Sequence, residues 1–105
     1  MKKVILDENV PIGFRYFLSE FEVVTVDFLG WNGTRNGALI RRIERIYDVL
    51  VTGDKNLRYQ QNLMDRRVSI VELPFTRIEA LGKKAEEIRL AIRNSSPGSY
   101  TQIKP

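Results

Sequence analysis

The chain has 105 residues and a mass of 12.2 kDa, which allows one domain with one hydrophobic core. It contains no cysteine and no histidine, which excludes thiolate chemistry, histidine general bases and most transition-metal sites, so any catalysis must use carboxylates. The formal charge of +4 is a mild basic surplus that favours acidic partners such as nucleic acid.

The hydropathy pattern contains no membrane segment. No apolar run approaches the roughly 20 residues that a membrane-spanning helix needs. The amino-terminal segment reaches Asp7 too early for a secretory signal. We therefore expect a cytoplasmic protein with no membrane partner.

The first quarter of the chain predicts two strands and a helix between them. Residues 3–6 form an aliphatic run that predicts a buried parallel strand ending at Asp7. Residues 22–26 predict a second strand, which ends at Asp27. An amphipathic helix follows Pro11, with apolar residues at helical spacing at Phe14, Phe17, Leu18 and Phe21.

The middle of the chain predicts a loop, a second helix and a third strand. Residues 28–37 hold three glycines, two asparagines and the only tryptophan, a composition typical of a loop. Residues 36–47 carry an apolar stripe at helical spacing and predict a helix. Residues 48–52 predict a buried strand, and residues 55–62 a short helix after it.

The last third predicts a fourth strand over residues 68–73 and the longest helix over residues 77–93. Residues 1–93 thus form one domain, and residues 94–105, rich in serine, proline and glycine, read as a flexible or partner-binding tail. The alternation of strands and helices predicts an α/β three-layer sandwich with a central, mostly parallel, four-stranded sheet.

Acidic residues follow two of the predicted strands. In such sheets the ligand lies beyond the carboxyl ends of the strands, where Asp7 follows strand one and Asp54 follows strand three. If a switch in strand order makes these strands neighbours, the two carboxylates share one basin. Crowded carboxylates repel one another unless a cation neutralises them, and hard oxygen ligands select Mg²⁺ or Mn²⁺. The residues alone leave open a second interpretation, in which each aspartate caps a turn without a metal.

Other residues near the predicted basin have alternative interpretations. Asp27 is interpreted as a turn cap, and Glu44 either points into the basin or borders the core. Trp31 anchors a lid or, as we favour, an interface, and Tyr59 offers a stacking face. The candidates for contact with a nucleic-acid backbone are Lys55, Asn56, Arg58, Arg41 and Arg42, the last two with a solvated helix face as the alternative.

Two segments carry a resemblance to a known family. Residues 5–11 (Ile-Leu-Asp-Glu-Asn-Val-Pro) and 49–57 (Val-Leu-Val-Thr-Gly-Asp-Lys-Asn-Leu) resemble the PIN-like domains of unknown function found in bacteria and archaea. Residues 22–30 fit the middle segment of that family, so the resemblance extends to about residue 73. It implies the PIN-like fold and an endoribonuclease that uses Mg²⁺ or Mn²⁺, in many relatives as the toxin of a toxin–antitoxin pair.

Carried over by position, the resemblance implies Asp7 and Asp54 as catalytic metal ligands, with Glu8 as a further ligand and Asn56 beside the site. One position departs from the family pattern. Relatives usually begin the second helix with an acidic residue, where this chain has Asn36 and Gly37. A site with fewer carboxylates is expected to hold its cation more weakly, unless Glu44 substitutes.

The residue pattern and the resemblance together give three candidate functions. The first is a Mg²⁺- or Mn²⁺-dependent ribonuclease with RNA as substrate and an antitoxin protein as partner. The second is a catalytically silent PIN-like module that binds nucleic acid or a partner protein. A receiver-like phosphate acceptor ranks third, because no lysine follows the fourth strand. Pairing of two copies through an exposed Phe75 or Trp31 is a further expectation.

Overall fold

The computed structural model describes residues 1–59 and 66–105, and these build one parallel sheet of five strands. The strands are β1 (Lys3–Leu6), β2 (Glu22–Thr25), β3 (Val49–Thr52), β4 (Ser69–Glu72) and β5 (Tyr100–Gln102). Their order in the sheet is β2-β1-β3-β4-β5, so β1 and β3 are neighbours, as the predicted basin requires. All four strand pairs are parallel.

The prediction of four strands is wrong, because the sheet has a fifth. β5 lies within residues 94–105, which the sequence predicts as a tail, and it pairs with β4 from Ile70↔Tyr100 to Glu72↔Gln102. Ile103, just beyond β5, is buried in the core. The strand is missed because Tyr-Thr-Gln is short and polar and follows a stretch rich in turn-forming residues.

Helices cover both faces of the sheet, which is the α/β sandwich expected from the sequence. The 3₁₀ helix Ile12–Leu18, α2 (Ile78–Lys83) and α3 (Ala85–Asn94) contribute to the core on one face. On the other face, α1 (Asn36–Ile43) and the 3₁₀ turn Leu57–Tyr59 cover a second core. None of the described helices is long and apolar enough to cross a membrane.

The helices differ in detail from their predicted bounds. The single helix predicted over residues 77–93 is two helices, with a break at Lys84 just after Gly82. Gly82 faces the ring of Phe17, and a Cβ there would lie 3.2 Å from Phe17 Cζ. The second predicted helix, over residues 36–47, ends four residues early at Ile43. Part of the helix predicted over residues 55–62 falls outside the described residues.

Candidate functional site

A row of four polar side chains crosses the carboxyl ends of β1, β3, β4 and β5. Asp7 directly follows β1, while Thr52, Glu72 and Gln102 are the last residues of their strands. The register pairs Thr52 with Glu72 and Glu72 with Gln102, and the N–H of Asp7 donates to Val51 O at 2.9 Å. Side chains at the same level of paired strands project from the same side of the sheet. The four residues therefore share the face that α1 covers.

Asp7 is a buried carboxylate with 6% exposure. Its Oδ2 accepts a hydrogen bond of 2.7 Å from the Thr52 hydroxyl, and its Oδ1 accepts one of 2.8 Å from the N–H of Glu8. Burial raises the pKa of Asp7 above its usual value, and the negative charges of Glu8 and Asp54 raise it further, against the lowering effect of the two hydrogen bonds. The ionised form of Asp7 is thus held in a poorly solvated, negatively charged environment.

Asp54 lies at the same site, two residues beyond the end of β3. Its backbone N–H donates to the hydroxyl oxygen of Thr52 at 3.0 Å. Its side-chain Oδ1 accepts the N–H of Asn56 at 2.9 Å, which forms a turn typical of aspartate. The Thr52 hydroxyl therefore bonds to both predicted site residues, although sequence reasoning did not single it out. A threonine in an apolar strand signals only β-structure.

The residues after Asp7 attach neighbouring loops to the site. The carboxylate of Glu8 is exposed and accepts the N–H of Gly33 at 3.1 and 3.3 Å through its two oxygens. The Asn9 side chain accepts the N–H of Gly53 at 2.9 Å. Gly53 is closely packed, since a Cβ there would lie 2.5 Å from Cγ2 of Thr76. The Asp-Glu-Asn turn thereby connects the loops that follow β1, β2 and β3.

A cavity of about 230 Å³ opens beside Asp7. Glu8, Asp27 and Asn32 are among the residues that line it, and the Asn32 side chain donates a hydrogen bond to Asp27. Asp27, expected to cap a turn, therefore also faces this cavity. Among the described residues, no group of three or more acidic side chains is arranged to hold a metal ion. The described residues that line this cavity do not include Asp54.

A larger cavity of about 410 Å³ lies at the opposite end of the strands, where Lys2, Asp48 and Ser69 line it. It contains neither of the predicted site aspartates. Glu44 also lines this distant cavity, so of the two alternatives for Glu44, the one in which it points into the Asp7 basin and replaces the missing ligand is wrong. The reason is geometric: Glu44 follows the last turn of α1, which has by then returned to the amino-terminal ends of the strands. Asn36 begins the helix at its other end.

A second buried carboxylate, missed by sequence reasoning, belongs to Glu72, with 1% exposure. Its Oε1 accepts a hydrogen bond of 2.8 Å from the Tyr100 hydroxyl and lies 3.7 Å from Nε of Arg58. Burial raises the pKa of Tyr100, and the hydrogen bond to Glu72 adds to the rise, as does the charge of Asp54. A glutamate inside an apolar run was the only signal in the sequence.

The predicted basic residues lie on two surfaces. Lys55, Asn56 and Arg58 follow Asp54 and are exposed, with the Arg58 guanidinium 5.3 Å from the centre of the Tyr59 ring. Arg41 and Arg42 are exposed on α1, and Arg42 stacks over Trp31 at 5.5 Å.

Two residues expected at an interface are less accessible than predicted. Trp31 and Phe75 are both half-buried. Trp31 packs against the core beneath α1, and Phe75 packs against the core of the opposite face. Neither side chain is fully exposed, and pairing of two copies through Trp31 or Phe75 stays a prediction.

The structure thus places Asp7 and Asp54 together at the carboxyl ends of adjacent strands, joined by Thr52, while Glu44 lies elsewhere. Comparison with known proteins finds no match to this chain among family models, curated proteins or solved structures.

Proposed function

We propose that this protein is a PIN-like ribonuclease that depends on Mg²⁺ or Mn²⁺, with Asp7 and Asp54 as the cation ligands. The observation that carries the proposal is the environment of Asp7. This carboxylate is buried, and the two charged groups that act on its pKa, Glu8 and Asp54, are both negative. A cation removes the cost of keeping such a carboxylate ionised, because it supplies the missing opposite charge.

The donor set fits this kind of ion. Mg²⁺ is usually held by one or two protein carboxylates, with water and substrate phosphate as its remaining ligands. Asp7 and Asp54 supply two carboxylates, and Glu8 adds an exposed third one next in the chain. The chain has no histidine or cysteine to favour a softer metal.

The residues around the pair have distinct roles in this mechanism. When bound, the cation polarises the phosphate and lowers the pKa of a water molecule at the site. Thr52 holds one oxygen of Asp7 through its hydroxyl, and the N–H of Glu8 holds the other. Lys55 and Arg58, exposed beyond Asp54, hold the RNA backbone. Membership in a toxin–antitoxin pair is part of the same proposal and is supported by the resemblance alone.

The first experiment measures cleavage of a fluorescent oligoribonucleotide with Mn²⁺ or Mg²⁺. We expect Asp7→Asn and Asp54→Asn each to reduce the cleavage rate by at least about 100-fold, since each removes a charged ligand. The matched control is Asp48→Asn, because Asp48 lies at the opposite end of β3 and should leave the rate unchanged. Cleavage that survives both site substitutions, in a preparation free of contaminating nuclease, would defeat the proposal.

A second candidate is the catalytically silent module. Both oxygens of Asp7 already accept hydrogen bonds, and the described residues contain no cluster of three acidic side chains. The same features are expected of an aspartate that only stabilises the fold and binds no metal. Titration with Mn²⁺ separates the two functions, because a nuclease should show saturable broadening of amide signals near Asp7 and Asp54. A silent module should show none.

A further inference from the structure

The guanidinium of Arg58 is fixed from several sides. Its Nη1 donates to Oε1 of Gln102 at 2.7 Å, and its Nε donates to the carbonyl of Lys55 at 3.2 Å while lying 3.7 Å from Oε1 of Glu72. The plane also lies over the Tyr59 ring. An exposed arginine normally loses rotamer entropy when it binds a ligand. Here that entropy is lost in the folded protein, before any ligand arrives.

Glu72 is the buried member of this arrangement. Its side chain is 1% exposed and that of Arg58 is 32% exposed, so the pair links the interior of the sheet to the surface. The Tyr100 hydroxyl holds the Glu72 carboxylate from β5. A buried carboxylate requires such partners to offset its desolvation. These contacts of Glu72 connect β4 and β5 to the loop that carries Asp54.

We propose that Glu72 is a positioning residue that, together with Gln102, holds Arg58 where it binds a phosphate of single-stranded RNA beside Asp54. This inference rests on the proposed function, because it names a binding group for the same substrate. Nη2 of Arg58 has no hydrogen-bond partner within residues 1–59 and 66–105, which leaves a donor for phosphate. Tyr59, with 73% exposure, presents a ring on which a neighbouring base stacks.

The test is a double-mutant cycle on RNA binding. Fluorescence anisotropy follows a labelled oligouridylate of about 12 nucleotides, in EDTA so that no cleavage occurs. We expect Arg58→Ala to weaken binding about tenfold and to lower the slope of log Kd against log salt by about one. In a Glu72→Gln background, where Arg58 is no longer held, the same substitution should weaken binding by less than about threefold. Gln102→Ala changes an exposed side chain and should also reduce the effect of Arg58→Ala.

Arg93→Ala is the matched control. Arg93 also pairs with a carboxylate, Glu20, at 2.9 Å, but it lies on the other face of the sheet. Its loss should change neither affinity nor salt slope.

Three results would overturn the inference. They are an equal loss from Arg58→Ala in both backgrounds, tighter binding by Glu72→Gln, and no saturable binding by the unaltered protein. If only the nuclease proposal fails, the results differ from these three. Cleavage would be absent or unchanged by Asp7→Asn, while the coupling between Arg58 and Glu72 in RNA binding would persist in EDTA.

Discussion

The hydroxyl of Thr52 donates a 2.7 Å hydrogen bond to Asp7 although the two residues are 45 positions apart in the chain. The same oxygen accepts the backbone N–H of Asp54 at 3.0 Å. The first contact exists because β1 and β3 are adjacent and end at the same level, while the second lies within the turn that follows β3. The register of the sheet and this turn together determine the geometry of the candidate site.

Replacing Thr52 by valine should destabilise the fold. Thr52→Val keeps the side-chain volume but leaves an oxygen of Asp7 buried without its donor, which should lower the free energy of unfolding by about 1–3 kcal/mol. Urea denaturation at pH 7 measures the loss. Thr101→Val is the control, since Thr101 is half-buried in β5 and its hydroxyl makes no hydrogen bond in the described part of the chain. A similar loss in both variants would contradict a special role for the Thr52 hydroxyl.

Asp7→Asn should stabilise the protein at neutral pH, even though it removes the proposed ligand. Burial raises the pKa of Asp7 above 3.8, so the folded protein binds this proton more tightly than the unfolded chain. Stability is therefore lost as the pH rises from 3.8 through the raised pKa, and the neutral asparagine avoids this loss. In EDTA, the free energy of unfolding of the variant should exceed that of the unaltered protein at pH 7. The difference should vanish below pH 3.8, and an undiminished gain there would contradict the assigned cause.

Gly53→Ala should strain the turn that holds Asp54. The new Cβ would lie 2.5 Å from Thr76 Cγ2 and 3.4 Å from Asn9 Oδ1, so we expect a loss of about 1–2 kcal/mol in the free energy of unfolding. Thr76→Ser removes the clashing methyl group and should restore most of the loss. Gly37→Ala is the opposite case, because its Cβ has room in α1 and should stabilise by about 0.5–1 kcal/mol. Thermal or urea unfolding measures these changes in the unaltered protein, in Gly53→Ala with and without Thr76→Ser, and in Gly37→Ala.

Ile103→Ala tests whether the segment after α3 belongs to the folded domain. Ile103 is 3% exposed in the core beneath β5, so the substitution should cost about 2–5 kcal/mol. Leu90→Ala, at a position with 49% exposure on α3, should change stability by less than about 0.5 kcal/mol. If Ile103→Ala were as mild as the control, residues 94–105 would behave as the tail that their composition suggests.

The sequence was sufficient for the features that depend on apolar patterning. Each of the first four strands is an aliphatic run with turn residues beside it, and the prediction of β1 matches its observed bounds. The meeting of Asp7 and Asp54 followed from a general property of parallel sheets, in which a change of strand order brings the ends of non-consecutive strands together.

The features that the sequence did not reveal depend on long-range contacts. β5 is polar and short, and only its pairing with β4 makes it a strand. Glu72 looked like one residue of a strand, because its partners Arg58 and Tyr100 are distant in the chain. Glu44 had two possible environments by periodicity alone, and the direction in which α1 runs across the sheet decided between them.

The two edge strands of the sheet, β2 and β5, differ in how readily they can pair with a strand of another molecule. β5 has three residues and therefore presents few open backbone donors, and Pro105, two residues after the buried Ile103, cannot donate at all. β2 is longer, and its valines at positions 23 and 24 are half-buried. In concentrated solution, edge-to-edge self-association should therefore begin at β2, and a lysine at position 24 would be the simplest gatekeeper against it.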